Sequence, residues 1–128
     1  MNPLRIPARM LTGSTYALLG YDAATNPGGR VQAAAPTLAA IRQVVPIPND
    51  DELLVRVNGG VMAVGGTMIA LGIRPRLAAL AVAGALIPTT IAGHAFWKIE
   101  DPAQRKMQQT QFVKNMAMLG GLLYAVID

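Results

Sequence analysis

The chain has 128 residues, of which 52% are hydrophobic and only 14% charged, against roughly 25% charged in an ordinary soluble domain. It contains no cysteine, which excludes disulfides, iron–sulfur ligation and a thiol nucleophile within it. The net charge of +4 comes from basic residues scattered singly or in pairs with no interleaved aromatics, which argues against nucleic acid as a partner.

The length suits one domain. Met1–Gly20 opens with Arg5 and Arg9 and becomes apolar from Met10. A cleaved signal peptide would share that start. The small-residue cleavage pattern is poor, however, and Arg9 lies close to the apolar run, so the sequence predicts an uncleaved first span over about residues 7–24. Its uncharged core, Met10–Tyr21, is short for a bilayer and needs neighbours to cover Thr12, Ser14 and Thr15. Pro27-Gly28-Gly29 then turns the chain.

Pro36 fits the first turn of a helix, and Leu38, Ile41, Val44 and Val45 come after it at helical spacing until Pro46. That stretch is too short to span. It reads as an amphipathic helix at the membrane interface or over the mouth of a bundle; a plain helix in an external loop fits the pattern as well. Pro46-Ile47-Pro48 imposes extended backbone, and Asn49 or Asp50 can cap the next helix.

The second span covers about residues 53–72. Beyond Arg56 it is uncharged to Ile73, and Gly59 and Gly66, seven apart, share a face that lets another backbone approach closely. The turn Gly72–Arg76 is too short to hold a domain, so the second and third spans form an antiparallel hairpin. The third, about residues 77–97, has no acid, Lys or Arg, and His94 is its only ionisable group. At about 1.5 Å per residue it covers roughly 30 Å, the thickness of a bilayer's hydrocarbon core. Pro88 interrupts its hydrogen bonding, Thr89 and Thr90 can satisfy local groups, and Trp97 is placed as an interfacial anchor.

Asp101-Pro102-Ala103-Gln104 is a helix start, with Asp101 as N-cap. The helix is polar to Gln111, enters the bilayer near Phe112 and crosses as a fourth span over about residues 110–127. Ala117, Gly121 and Ala125 form a small-residue ridge suited to close packing. The expected architecture is all-α, a four-helix transmembrane bundle with a short amphipathic helix between the first and second spans. Arg5, Arg9, Arg74 and Arg76 on one side face Arg30, Arg42, Lys98, Arg105 and Lys106 on the other. Those basic residues do not decide orientation; we take both termini as cytoplasmic.

Charges at the centre of a span cost at least about 2.5 kcal/mol, so polar groups there normally face protein or water. Arg56, Asn58, His94, Lys114 and Asn115 all fall toward one side of the expected bundle. They predict a polar cluster near the non-cytoplasmic mouth, adjoining Trp97 and the loop helix. Such a cluster could hold a quinone or a lipid head group. Equally, Arg56 and Lys114 can snorkel to the interface while Asn58 and Asn115 hydrogen-bond between helices. One His and no Cys cannot build a three-ligand metal site or two-ligand haem, so no metal and no catalytic residue is expected. Nucleotide-binding glycine motifs are missing, and no serine or acid pair accompanies His94 in a hydrolase arrangement.

Several landmarks then act together. They are Asn58-Gly59-Gly60, the turn Leu71-Gly72-Ile73-Arg74-Pro75-Arg76-Leu77-Ala78-Ala79, His94-Ala95-Phe96-Trp97, Asp101-Pro102, and Gln111-Phe112-Val113-Lys114-Asn115 followed by Leu119-Gly120-Gly121-Leu122-Leu123. This set resembles the DoxX family of small bacterial integral membrane proteins. The resemblance implies a multi-pass four-helix bundle in the bacterial plasma membrane. It also implies a place in respiratory or redox-stress oxidoreductase systems, such as thiosulfate:quinone oxidoreductase or an assembly linking superoxide dismutase with a sulfurtransferase. The expected role is a subunit that docks or supports such an assembly and is not itself catalytic. Without cysteine, sulfur or redox chemistry would reside in partner subunits or a bound quinone. Expected partners are the lipid bilayer, other membrane or redox subunits, and a second copy of the chain. The alternative role is a quinone- or lipid-binding protein using the polar cluster. A transporter fits less well, because four short spans without an internal repeat leave little room for alternating access.

Overall fold

The computed structural model describes residues 2–128 and is helical throughout, with no strand among the described residues. The helices are α1 (Arg5–Thr25), α2 (Arg30–Arg42), α3 (Asp51–Leu71), α4 (Pro75–Gly93) and α5 (Pro102–Ile127), with one 3-10 turn, Phe96–Lys98, between α4 and α5. α1 packs on α3, α3 on α4 and α4 on α5, while α2 lies against α3 and α4.

The boundaries follow from turn chemistry. Gly72 sits at φ 72°, and its N–H donates to the Ile69 carbonyl while the Ile73 N–H donates to Met68. This is a Schellman closure, which needs a left-handed residue that glycine adopts without a Cβ clash. Pro75 then starts α4 at a position where its missing N–H costs nothing. At the start of α3 the Asp50 carboxylate accepts from the Leu53 N–H at 3.1 Å, the expected cap. Asp101 precedes α5 as expected, but its side chain accepts no capping bond.

α2 begins six residues earlier than the sequence predicts, so Pro36 lies inside the helix and not in its first turn. The Pro27–Gly29 turn supplies the reason: Arg30 and Val31 donate to the Pro27 and Gly28 carbonyls, and the run Ala33–Ala35 propagates the helix up to the proline. Val31, Ala34, Ala35, Leu38 and Ile41 form its half-buried stripe, the i, i+3, i+4, i+7 pattern of an amphipathic helix. Arg42 ties its end to the Pro48 carbonyl and the Asp51 carboxylate.

The α1–α3 contact is made by backbone. A Cβ on Gly13 would stand 2.4 Å from the Ala70 nitrogen and the Gly66 carbonyl oxygen; one on Gly20 would stand 2.4 Å from the Ala63 nitrogen. Rising residue numbers in α1 thus meet falling numbers in α3, so the pair is antiparallel. Gly59 and Gly66 share the expected face, and Gly13 and Gly20, also seven apart, complete the seam. On its other side α3 offers Gly65 as a notch for Val82 of α4. The buried core is correspondingly fine-grained, with Ala78, Ala79, Val82, Ala83 and Ala85 of α4 around Met62, Ile69 and Leu122. Of the ridge Ala117–Gly121–Ala125, only Ala125 packs against this core. Ala117 and Gly121 are exposed, and α5 turns Leu122 inward instead.

α3, and α4 with its following turn (Pro75–Lys98), are long and apolar enough to cross a membrane, yet only 28% and 39% of their most apolar windows are buried. A core helix of a soluble protein would hide most of that surface. Here Leu18, Val64, Leu80, Ile87 and Tyr124 stand out from four different helices. Exposed large apolar side chains on several helices mark a surface that meets a membrane or another protein.

Candidate functional site

The polar side chains inside the bundle meet on α4. Thr89 and Thr90 each donate to the carbonyl four residues back, Ala85 and Leu86, at 2.8 Å. Consecutive residues point about 100° apart on a helix, so the two hydroxyls address different neighbours. Asn58 of α3 donates through Nδ2 to Thr89 Oγ1 at 2.7 Å, and Asn115 of α5 donates through Nδ2 to Thr90 Oγ1 at 3.0 Å. Thr90 is buried at 8% exposure. Among the described residues, no buried side-chain nitrogen or oxygen lacks a partner. The arrangement clamps α3, α4 and α5 at one level, just past Pro88. Each such bond contributes about 0.6 kcal/mol on average in a membrane setting.

The other expected members of the cluster lie apart from this clamp. His94 ends α4 and donates from Nδ1–H to Oε1 of Gln108 at 2.7 Å; an amide oxygen can only accept, so this bond fixes the ring proton on Nδ1. Trp97 is half-exposed and stacks edge to face with Phe96 and Phe112, their centroids 5.3 to 5.7 Å apart. Arg56 is on the surface: its guanidinium donates to Glu52 and, at 2.8 Å, to the Ala24 carbonyl at the end of α1. There it complements the negative end of that helix. Lys114 is exposed on α5 and has no hydrogen bond or ion pair among the described residues. The six residues therefore share an end of the bundle, with Asn58 and Asn115 in the clamp and Arg56 and Lys114 on the surface.

Gln108 and the second function of the two threonines escaped the sequence reading. A signal was present: Gln108, Phe112 and Asn115 recur at i, i+4 and i+7, one face of α5, and that face meets α4. Among the described residues no group of His and acids could hold a metal ion.

At the opposite end, Arg5 and Asp128 form an ion pair at 2.9 Å, and Arg76 donates to the Asp128 carbonyl. These contacts close α1, α4 and α5 around a cleft of about 1040 Å³.

The model of the DoxX family matches residues 4–95, well over half of the chain. The chain belongs to the DoxX family. The match takes in α1 to α4, with the glycine seam, the Schellman turn, Asn58, Thr89, Thr90 and His94. It stops short of Trp97, Asp101-Pro102 and the Gln111–Asn115 segment that formed part of the resemblance. No curated protein and no solved structure matches the chain. Family membership and two helices apolar enough to span identify this DoxX protein as a membrane protein.

Proposed function

We propose that this DoxX protein crosses the bacterial plasma membrane four times, through α1, α3, α4 and α5, with both termini cytoplasmic. In this reading it is a non-catalytic subunit that docks or supports a membrane oxidoreductase assembly. The observation that carries the supporting role is that the polar side chains inside the bundle are committed to one another. Asn58, Thr89, Thr90 and Asn115 hold helices together, which leaves recognition to the surface. The end bearing α2 and the aromatic group of Phe96, Trp97 and Phe112 offers half-exposed Trp97 together with exposed Met107, residue types enriched where proteins meet. An oxidoreductase is the partner class that the family resemblance implies.

A second reading is favoured by one observation. His94 donates from Nδ1 to Gln108, which leaves Nε2 of the neutral ring as an acceptor for a quinol or lipid head-group hydroxyl at the same mouth. A quinone or lipid head group there would lie beside the Phe96–Trp97–Phe112 aromatics.

Both readings meet in one experiment. The full chain is extracted from its native membrane in mild detergent and captured, and the proteins, quinones and lipids retained with it are identified. A redox enzyme in fixed proportion is the expected result, lost from Trp97→Ala while helicity is kept. A stoichiometric quinone or lipid that disappears from the His94→Ala, Lys114→Ala double variant would replace the first reading with the second. Recovery of the bare protein overturns both.

A further inference from the structure

The cleft at the other end has an uneven charge. Its wall carries Arg5, Arg9, Arg74 and Arg76 against a single acid, Asp128. Asp128 is engaged by Arg5 through its carboxylate and by Arg76 through its carbonyl. Arg9 and Arg74 have no acidic partner among the described residues. Arg9 reaches from α1 to within 3.6 Å of where a side chain on Gly72 would begin, so its guanidinium lies over the α3–α4 turn. Arg74 stands at φ 43°, a left-handed conformation that glycine or asparagine adopts more cheaply. Two guanidiniums without an anion therefore face a cavity already bordered by two more.

Below the arginines the lining becomes apolar, with Ala8, Ile69, Leu77, Tyr124 and Ala125. The shape follows from the packing. α1 is held to α3 along the glycine seam, and it is joined to α5 by Arg5–Asp128 at one end and by the long Tyr16 hydroxyl bond to Met118 at the other. Between those two contacts lies the cleft, about 16 Å of α1 at 1.5 Å per residue. A cationic rim above an apolar slot between helices complements an anion attached to a hydrocarbon chain. Guanidinium groups suit phosphate because their donors form a planar fork.

We propose that this cleft is a binding site for a phosphate-bearing anion, the head group of an anionic phospholipid whose acyl chain lies between α1 and α5. Arg9 and Arg74 are the principal ligands, and Arg5 and Arg76 complete the rim. The site rests on the proposed crossings by α1 and α5 and is independent of any docked enzyme.

The test uses the full-length protein, delipidated in detergent and analysed by native mass spectrometry with three probes: phosphatidylglycerol, phosphatidylcholine and inorganic phosphate. The expected result is one phosphatidylglycerol retained per chain, at least tenfold more than phosphatidylcholine. Arg9→Gln with Arg74→Gln should abolish that preference. Lys98→Gln with Lys106→Gln, an equal charge change at the opposite end, should leave it intact. Circular dichroism establishes that both variants fold, since neither Arg9 nor Arg74 makes an ion pair. Displacement of the lipid by millimolar inorganic phosphate would assign the site to free phosphate and remove the acyl chain from the proposal. Equal retention of both lipids, or a preference that survives Arg9→Gln and Arg74→Gln, overturns it.

Discussion

Gly66→Ala is expected to destabilise the bundle by about 1–3 kcal/mol, the range for overpacking a tight contact. The added Cβ would meet the Ala17 nitrogen at 2.5 Å and the Gly13 carbonyl oxygen at 2.6 Å. Both are backbone atoms and cannot swing aside, so α1 must move away from α3. Gly66→Leu should separate the two helices outright. Gly60→Ala is the internal control. It lies on the same helix, has nothing within 4 Å of its would-be Cβ, and should be neutral or gain up to about 1 kcal/mol from helix propensity. Gly13→Ala combined with Gly66→Ala should cost less than the sum of the single changes, because one displacement of α1 relieves both clashes. Unfolding in mixed micelles titrated with a denaturing detergent measures all of these variants. Equal effects of Gly66→Ala and Gly60→Ala would contradict the seam.

Val64→Asp is expected to lower membrane insertion of α3 by roughly 2.5 kcal/mol or more, the penalty for a carboxylate near the middle of a span. Val64 is 63% exposed on α3 and lies in the outward belt. An aspartate there is too short to reach the interface, unlike Arg or Lys. In a water-soluble protein the same change, at an exposed apolar position, would alter stability by no more than about 0.5 kcal/mol and would improve solubility. The two environments give opposite signs for one substitution. Carbonate-resistant membrane retention of wild type and variant is the readout, and Ile87→Asp on α4 should behave alike.

The features legible in the sequence and those hidden from it divide along a geometric line. Position along the helix axes was legible, because it depends on counting residues from turns whose chemistry is local. Gly72 with Pro75 and Asp50 before α3 set α3 and the start of α4 to within two residues, whereas α4 ends at Gly93, four residues before the expected Trp97. Pro102 set the start of α5. Asn58, His94 and Asn115 fall toward one end of the bundle because their distances from those turns require it. Direction around each helix axis was not legible, because it depends on which helix becomes the neighbour. Gly59 and Gly66 announced a close contact, but nothing local said that Gly13 and Gly20 would receive it. The same gap turned the Ala117–Gly121 ridge outward. It also dispersed the expected cluster, with Asn115 facing Thr90 and adjacent Lys114 facing away. The cleft at the other end shows the converse. Arg5, Arg9, Arg74 and Arg76 were counted on one side for orientation, while the space they surround exists only because α1 packs on α3 and stands off from α5.

The proposed topology rests on four crossings, and the absence of cysteine from the chain makes that directly measurable. Single cysteines at Asn2, Asn49, Ile73 and Glu100 are labelled with a membrane-impermeant maleimide, in sealed right-side-out and inside-out vesicles. Four crossings with cytoplasmic termini require Asn2→Cys and Ile73→Cys to react only in inside-out vesicles, and Asn49→Cys and Glu100→Cys only in right-side-out ones. Reaction of all four from the same side would contradict a bundle that spans the membrane through α1, α3, α4 and α5.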